Sequence, residues 1–246
     1  MNSVALRNVS RALQVSQAKT WTPIVTQKAS FQNIPPPRQY KDVEFPERTR
    51  LRVTMRVPEF PSNTRAPKSQ KKLCYMRGPE EVHNTLLHKQ YGIIALTGGR
   101  MKVGHFEMVR MAIVRKMDKN RMFAIWRVEH PWQPLTRKGV GHKMGGGKGP
   151  IQEYVTPLKR DQVIIEVGGR CDFDEVKRFL TMIAERLPFK AIAVSQDMMD
   201  ARKENIAIAE KLNTNKWNLE YIMKNNMGTS RSWMRRVDFF HFGKYI

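Results

Sequence analysis

From His130 to Gly149 the chain reads HPWQPLTRKGVGHKMGGGKG, with four cations, Arg137, Lys138, Lys143 and Lys148, and no acidic residue. Six glycines fall in the same stretch, at positions 139, 141, 145, 146, 147 and 149. Glycine loses more backbone entropy on ordering than any other residue, so this segment is expected to be a long loop, not a helix or a central strand. Glycine also lets bare N–H groups approach an anion closely, and cations beside those groups make phosphate the natural partner. The loop is therefore expected to insert into RNA. The predicted contact set is Arg137, Lys138, His142, Lys143, Met144, Gly145, Gly146, Gly147, Lys148 and Gly149. Trp132, at the base, either stacks on a nucleotide or anchors the arm in the core.

Other chemistry fails on spacing. A phosphate-binding loop of the form G-x-x-x-x-G-K-[ST] would need a hydroxyl residue after Lys148 and a glycine at His142, and the chain has Gly149 and His142 there. No helical pattern follows Gly149, which also removes a dinucleotide fingerprint. Cys171 follows Gly-Gly-Arg at a predicted helix start, a position that lowers a thiol pKa, but a lone cysteine there is common without activity. His130 and His142 lack a carboxylate or a second ligand at metal spacing, so contact with phosphate or base is expected of them. No catalytic residue, metal or cofactor is predicted, and the chain is not expected to be an enzyme.

The formal charge is +22 over 246 residues. Self-repulsion of that size destabilises a compact fold unless a polyanion neutralises it, which points to nucleic acid. An anionic membrane surface competes for the same charge, but no apolar run reaches the ~18 residues that a span requires. The two cysteines, Cys74 and Cys171, are too few and too far apart for a zinc site or a disulfide framework. They are expected to be free thiols in a reducing interior. Residues 1–30 carry Arg7, Arg11, Lys19 and Lys28 among serines, and no acidic residue precedes Asp42. Leu6, Val9 and Leu13 would form an apolar stripe on a short helix, so a mitochondrial presequence is predicted.

Residues 31–85 read as a proline- and arginine-rich extension laid over a surface, with a short extended piece from Leu51 to Val57. A compact α+β domain is predicted over residues 86–198, with about five mainly antiparallel strands and two helices. The expected strands are Tyr91–Thr97, Met122–Glu129, Tyr154–Leu158, Val163–Val167 and Lys190–Val194, the third and fourth joined like a hairpin at Lys159-Arg160-Asp161. Between Met122–Glu129 and the third strand, Pro131 and Pro134 should send the chain out of the sheet as a stiff arm. One helix, His105–Asp118, buries Phe106, Val109, Ile113 and Met117. The other starts at a capping box of Asp172 and Glu175, buries Val176, Phe179, Ile183 and Leu187, and stops at Pro188. Residues 199–246 form a helical, aromatic extension. Its tail either stacks on bases or packs against protein.

Several of these features together resemble large-subunit ribosomal protein 16 of the bacterial and organellar type. They are Pro134-Leu135-Thr136-Arg137-Lys138, Lys143-Met144-Gly145-Gly146-Gly147-Lys148-Gly149, Val163 to Glu166 with Gly168-Gly169, and Leu187-Pro188-Phe189-Lys190. The likeness covers roughly residues 88–198. It implies an α+β fold on large-subunit rRNA, with neighbouring mitochondrial ribosomal proteins, and a basic loop that reaches towards the peptidyl transferase centre and positions A-site tRNA. On that reading Arg137, Lys138, Lys143 and Lys148 are the loop's rRNA or tRNA contacts. Two positions depart from the bacterial pattern, which has arginine where Lys143 stands and lysine where Gly146 stands. The presequence and extensions imply a mitochondrial member in the matrix. A free mitochondrial RNA-binding factor is the alternative.

Overall fold

The computed structural model describes Tyr40, residues 43–68 and residues 72–243. The presequence expected over residues 1–30 lies outside them. Among the described residues there are seven strands and six α-helices. The strands are β1 Tyr91–Ala95, β2 Gly99–Lys102, β3 Met122–Trp126, β4 Gln133–Thr136, β5 Ile151–Leu158, β6 Val163–Gly169 and β7 Ala191–Ser195. The helices are α1 Val103–Lys116, α2 Phe173–Glu185, α3 Gln196–Leu212, α4 Leu219–Lys224, α5 Ser230–Trp233 and α6 Arg236–His241. The α+β class stands, with every pairing among these strands antiparallel.

The strands divide into a four-stranded sheet, β3-β6-β1-β7, and a three-stranded sheet, β2-β5-β4. This corrects the hairpin expected between β5 and β6. The turn at residues 159–161 exists, with Asp161 at φ +63°, but the two strands leave it for different sheets. β5 pairs with β2 and β4, and β6 with β1 and β3. Two strands were also missed. Gly99, two residues past the strand expected to end at Thr97, opens β2, and the proline-flanked arm contains β4.

Both helices of the domain follow from their apolar spacing. α1 buries Phe106, Val109 and Ile113, and α2 buries Val176, Phe179, Leu180, Ile183 and Ala184. These side chains meet Ile93, Ile165, Val167, Met122 and Ala124 in one core cluster. At roughly 25 cal/mol per Å² of apolar surface removed from water, this burial is the main term holding the sheet to its helices. The start of α2 is not made by the expected capping box. Asp172 makes no capping bond with its side chain, while Glu175 is ion-paired with Arg121. Asp174 and Glu175 still place negative charge at the positive end of the helix.

The other face of the four-stranded sheet is also covered. Leu86, Ile94, Val163 and Val194 form a second cluster there, closed by Met199 from α3. Residues 45–52 of the N-terminal segment lie along the edge strand β3. Ala124 N–H donates to the Thr49 carbonyl at 3.0 Å, and Trp126 Nε1–H donates to the Arg52 carbonyl at 3.0 Å. Leu51 is buried in the main core, and Phe45 meets Phe123 edge-on at 5.7 Å. Burial does not alternate along the piece from Leu51 to Val57: Val53, Met55 and Val57 stay exposed and the buried pair is Leu51 and Thr54.

Candidate nucleic-acid interface

The glycine-rich segment is the connection of the β4–β5 hairpin. Register runs from Gln133 opposite Val155 to Thr136 opposite Ile151, with an irregularity between Leu135 and Thr136. Arg137 N–H donates to the Pro150 carbonyl at 3.2 Å, so the ladder ends at the loop's neck. Gly149 is needed there for close approach, since a Cβ at that position would lie 2.6 Å from the Arg137 carbonyl oxygen. Beyond the neck the sterics relax. Gly145, Gly146 and Gly147 have φ of +100°, +63° and +84°, a left-handed run that only glycine adopts cheaply, and a Cβ at any of the three would meet nothing within 4 Å. The conformation of the tip, not crowding, is what selects glycine.

The loop encloses an open hollow of about 560 Å³ between Lys138 and Pro150. Arg137, His142, Lys143, Met144 and Lys148 are exposed, and Met144 is 95% exposed. Lys138 behaves differently from its neighbours. Its ammonium turns inward and donates to the Lys143 carbonyl at 3.3 Å and to the Gly145 carbonyl. It therefore braces the loop from inside. Lys148 Nζ donates to the Lys68 carbonyl at 3.2 Å, which ties the loop to the N-terminal extension. Arg137 and Lys143 remain directed at the surface as the cations best placed for an external phosphate. His142 N–H donates to the Gly139 carbonyl at 3.3 Å, a local turn that lays the exposed imidazole beside Gly139, where it lines the hollow.

Lys102, which closes β2, sits with Arg137, Lys148 and Glu153 around a second hollow beside the neck. Its ammonium pairs with Glu153 at 2.6 Å, so the acidic residue that follows the loop in sequence is already neutralised. Sequence reasoning missed Lys102 because it belongs to a strand that was itself missed. Trp132 is not anchored in the core: it is 37% exposed, and its ring meets Tyr75 of the extension edge-on at 5.4 Å.

The loop leads into strand β5 and not into a helix, so it lacks the helix N-terminus on which nucleotide-binding loops seat their phosphates. Cys171 is equally unsuited to nucleophilic chemistry. Burial pushes its thiol up to about 11, with Glu175 adding to the shift, the reverse of what a helix start alone would do. Cys171 is buried and Cys74 exposed, both as free thiols. A thiol-specific reagent at pH 8 is expected to label Cys74 quickly. Cys171 should lag well behind it, because burial both raises its pKa and shields the sulfur from the reagent. Two equal fast phases would contradict the placement of Cys171.

Comparison with known proteins gives a consistent result. A family model described as "Ribosomal protein L16p/L10e" matches residues 61–194. The chain is 33% identical over 116 residues to "Large ribosomal subunit protein uL16" of Psychrobacter arcticus, covering 47% of this chain and 82% of that protein. It is 32% identical over 122 residues to the protein of the same name in Pediococcus pentosaceus, covering 50% of this chain and 83% of the relative. For the Oenococcus oeni protein the figures are 34% over 130 residues, 53% and 87%. The loop and both sheets fall within the family-matched segment, apart from the last residue of β7, while α3 to α6 and residues 43–60 lie outside it.

Proposed function

This chain belongs to the ribosomal protein L16p/L10e family, a family of structural ribosomal proteins and not of enzymes, and from that premise we propose that it serves the large subunit of the mitochondrial ribosome. Its role in the large subunit is structural, and its partners there are rRNA and other ribosomal proteins. Among the described residues no helix is long and apolar enough to cross a membrane.

The mitochondrial assignment rests on the basic, acid-free first forty-one residues and on the sequence on both sides of the family-matched segment. The domain itself runs over residues 86–198, between an extension at 31–85 and another at 199–246. Within it, the Arg137–Gly149 loop reaches functional RNA, contacting rRNA and helping to place A-site tRNA beside the peptidyl transferase centre. The observation that carries this reading is the tip of the β4–β5 hairpin. There a left-handed glycine run is braced by Lys138, with Lys143 and Lys148 around it and Arg137 at the neck. Such a loop has the charge for phosphate and the slenderness to pass between nucleotides.

Sedimentation of a mitochondrial lysate tests the assignment. The chain should travel with the large-subunit peak at moderate salt. Recovery at the top of the gradient, as a free RNA-binding factor, would overturn it.

A further inference from the structure

The C-terminal appendage inverts the usual distribution of side chains. Residues 213–243, outside the family-matched segment, bury Met223 and Ser230, yet leave their largest aromatic groups in solvent. Trp233 is 64% exposed, Phe240 66%, Trp217 58% and Tyr221 49%. This is not a frayed tail. Ser230 Oγ donates to the Ile222 carbonyl at 3.4 Å, and Trp233 Nε1–H donates to the Gly228 carbonyl at 3.2 Å, which fixes that indole while its faces stay open. The imidazole of His241 lies against Gly78, so close that a Cβ on that glycine would come within 2.4 Å of it. The appendage is thereby seated on the N-terminal extension.

Cations are interleaved with these rings. Lys216, Lys224, Arg231, Arg235 and Arg236 face only Glu220 and Asp238 in the same stretch, five charges against two. Arg231, Arg235 and Arg236 are exposed, and the Arg236 guanidinium lies 5.9 Å from the centre of the Phe240 ring. A rigid ring beside a guanidinium is the unit with which proteins hold an unpaired nucleotide, with the base on the ring and the phosphate on the cation. A protein partner could also use aromatic and arginine side chains, but the core of a protein interface is depleted in charge, and here five cations are interleaved with the rings in sequence, one of them against Phe240.

We infer that residues 213–243 form a second RNA-binding surface, selective for unpaired nucleotides, in which Trp217, Tyr221, Trp233 and Phe240 stack on bases while Arg231 and Arg236 meet phosphates. The inference rests on the ribosomal reading for its expected ligand, unpaired stretches of large-subunit rRNA. The surface is separate from the glycine-rich loop.

The test uses the full chain and two probes, oligouridine and an RNA duplex of equal length. Trp233→Leu with Phe240→Leu keeps apolar bulk for any protein contact but removes the stacking faces. Both side chains are exposed, so the fold should survive. The double variant should bind oligouridine about tenfold more weakly or worse, with duplex affinity and the salt slope unchanged, because stacking releases no counterions. Unchanged oligouridine affinity, or equal loss on both probes, would overturn the inference. In assembled subunits, a photo-crosslinker at position 233 should label rRNA, and labelling of a ribosomal protein instead would also overturn it. If the chain were missing from the large-subunit peak, the ribosomal reading would fail while the oligouridine titration still decided the surface.

Discussion

Ribosomes carrying Lys143→Ala together with Lys148→Ala are expected to accept A-site tRNA about tenfold less tightly, while the chain still enters the large subunit in normal amount. The expected size follows from charge-assisted hydrogen bonds to phosphate, worth roughly 1.5–3 kcal/mol each before screening by solvent reduces them at an exposed tip. Selectivity for function over assembly follows from geometry. The loop is the end of the β4–β5 hairpin, and it carries none of the buried apolar side chains that hold the two sheets to α1 and α2. Removing exposed cations from it leaves that core intact.

The two lysines need not contribute equally. Lys148 is already bonded to the Lys68 carbonyl, so part of its loss acts by loosening the loop from the extension. Lys143 is exposed, and its carbonyl receives Lys138. A Lys138→Ala change should therefore weaken tRNA binding by a different route, through a loop that no longer holds its shape. Tethering the loop by other means would rescue Lys138→Ala but not Lys143→Ala. Normal A-site affinity with both Lys143 and Lys148 replaced would remove the tRNA role from the proposal and leave the large-subunit role standing.

What could be read from the sequence was whatever depends on local spacing. α1 and α2 announced themselves through Phe106, Val109 and Ile113 and through Val176, Phe179 and Ile183, since a helix buried on one face must repeat every three to four residues. The glycine-rich loop was equally plain, because six glycines cannot hold a regular element. β2 and β4 were hidden for the opposite reason. Each has only four residues, one opening on Gly99 and the other containing Pro134, and their burial comes from β5 between them. The sheet to which β5 belongs is a long-range property that the turn at residues 159–161 does not encode. Within the site, the composition that marked Lys138 as a cation could not say that its ammonium would point back into its own loop. Nor could it say that Lys68 would supply an acceptor to Lys148 across 80 residues of sequence.

The largest loss of stability is expected at Glu166→Gln, a residue that its sequence setting placed in a strand without assigning it a role. Its side chain is fully buried in β6. The carboxylate accepts the backbone N–H groups of Leu87, at 3.0 Å, and His88, at 2.5 Å, and faces Arg127 Nε at 3.6 Å. It thus pins the segment that enters β1 to the adjacent strand and neutralises an arginine that is itself largely buried. The amide removes the negative charge and turns one acceptor into a donor aimed at a donor. Breaking a buried pair in this way costs about 3–5 kcal/mol, which should lower the urea midpoint of the full chain by roughly 1–2 M. A double variant, Glu166→Gln with Arg127→Met, distinguishes the two parts of the effect. It should recover the share due to the stranded arginine but not the share due to the Leu87 and His88 N–H groups, which stay buried with a poorer acceptor. Full recovery would mean that the ion pair alone matters. An unchanged midpoint in the single variant would mean that the carboxylate holds neither partner in solution.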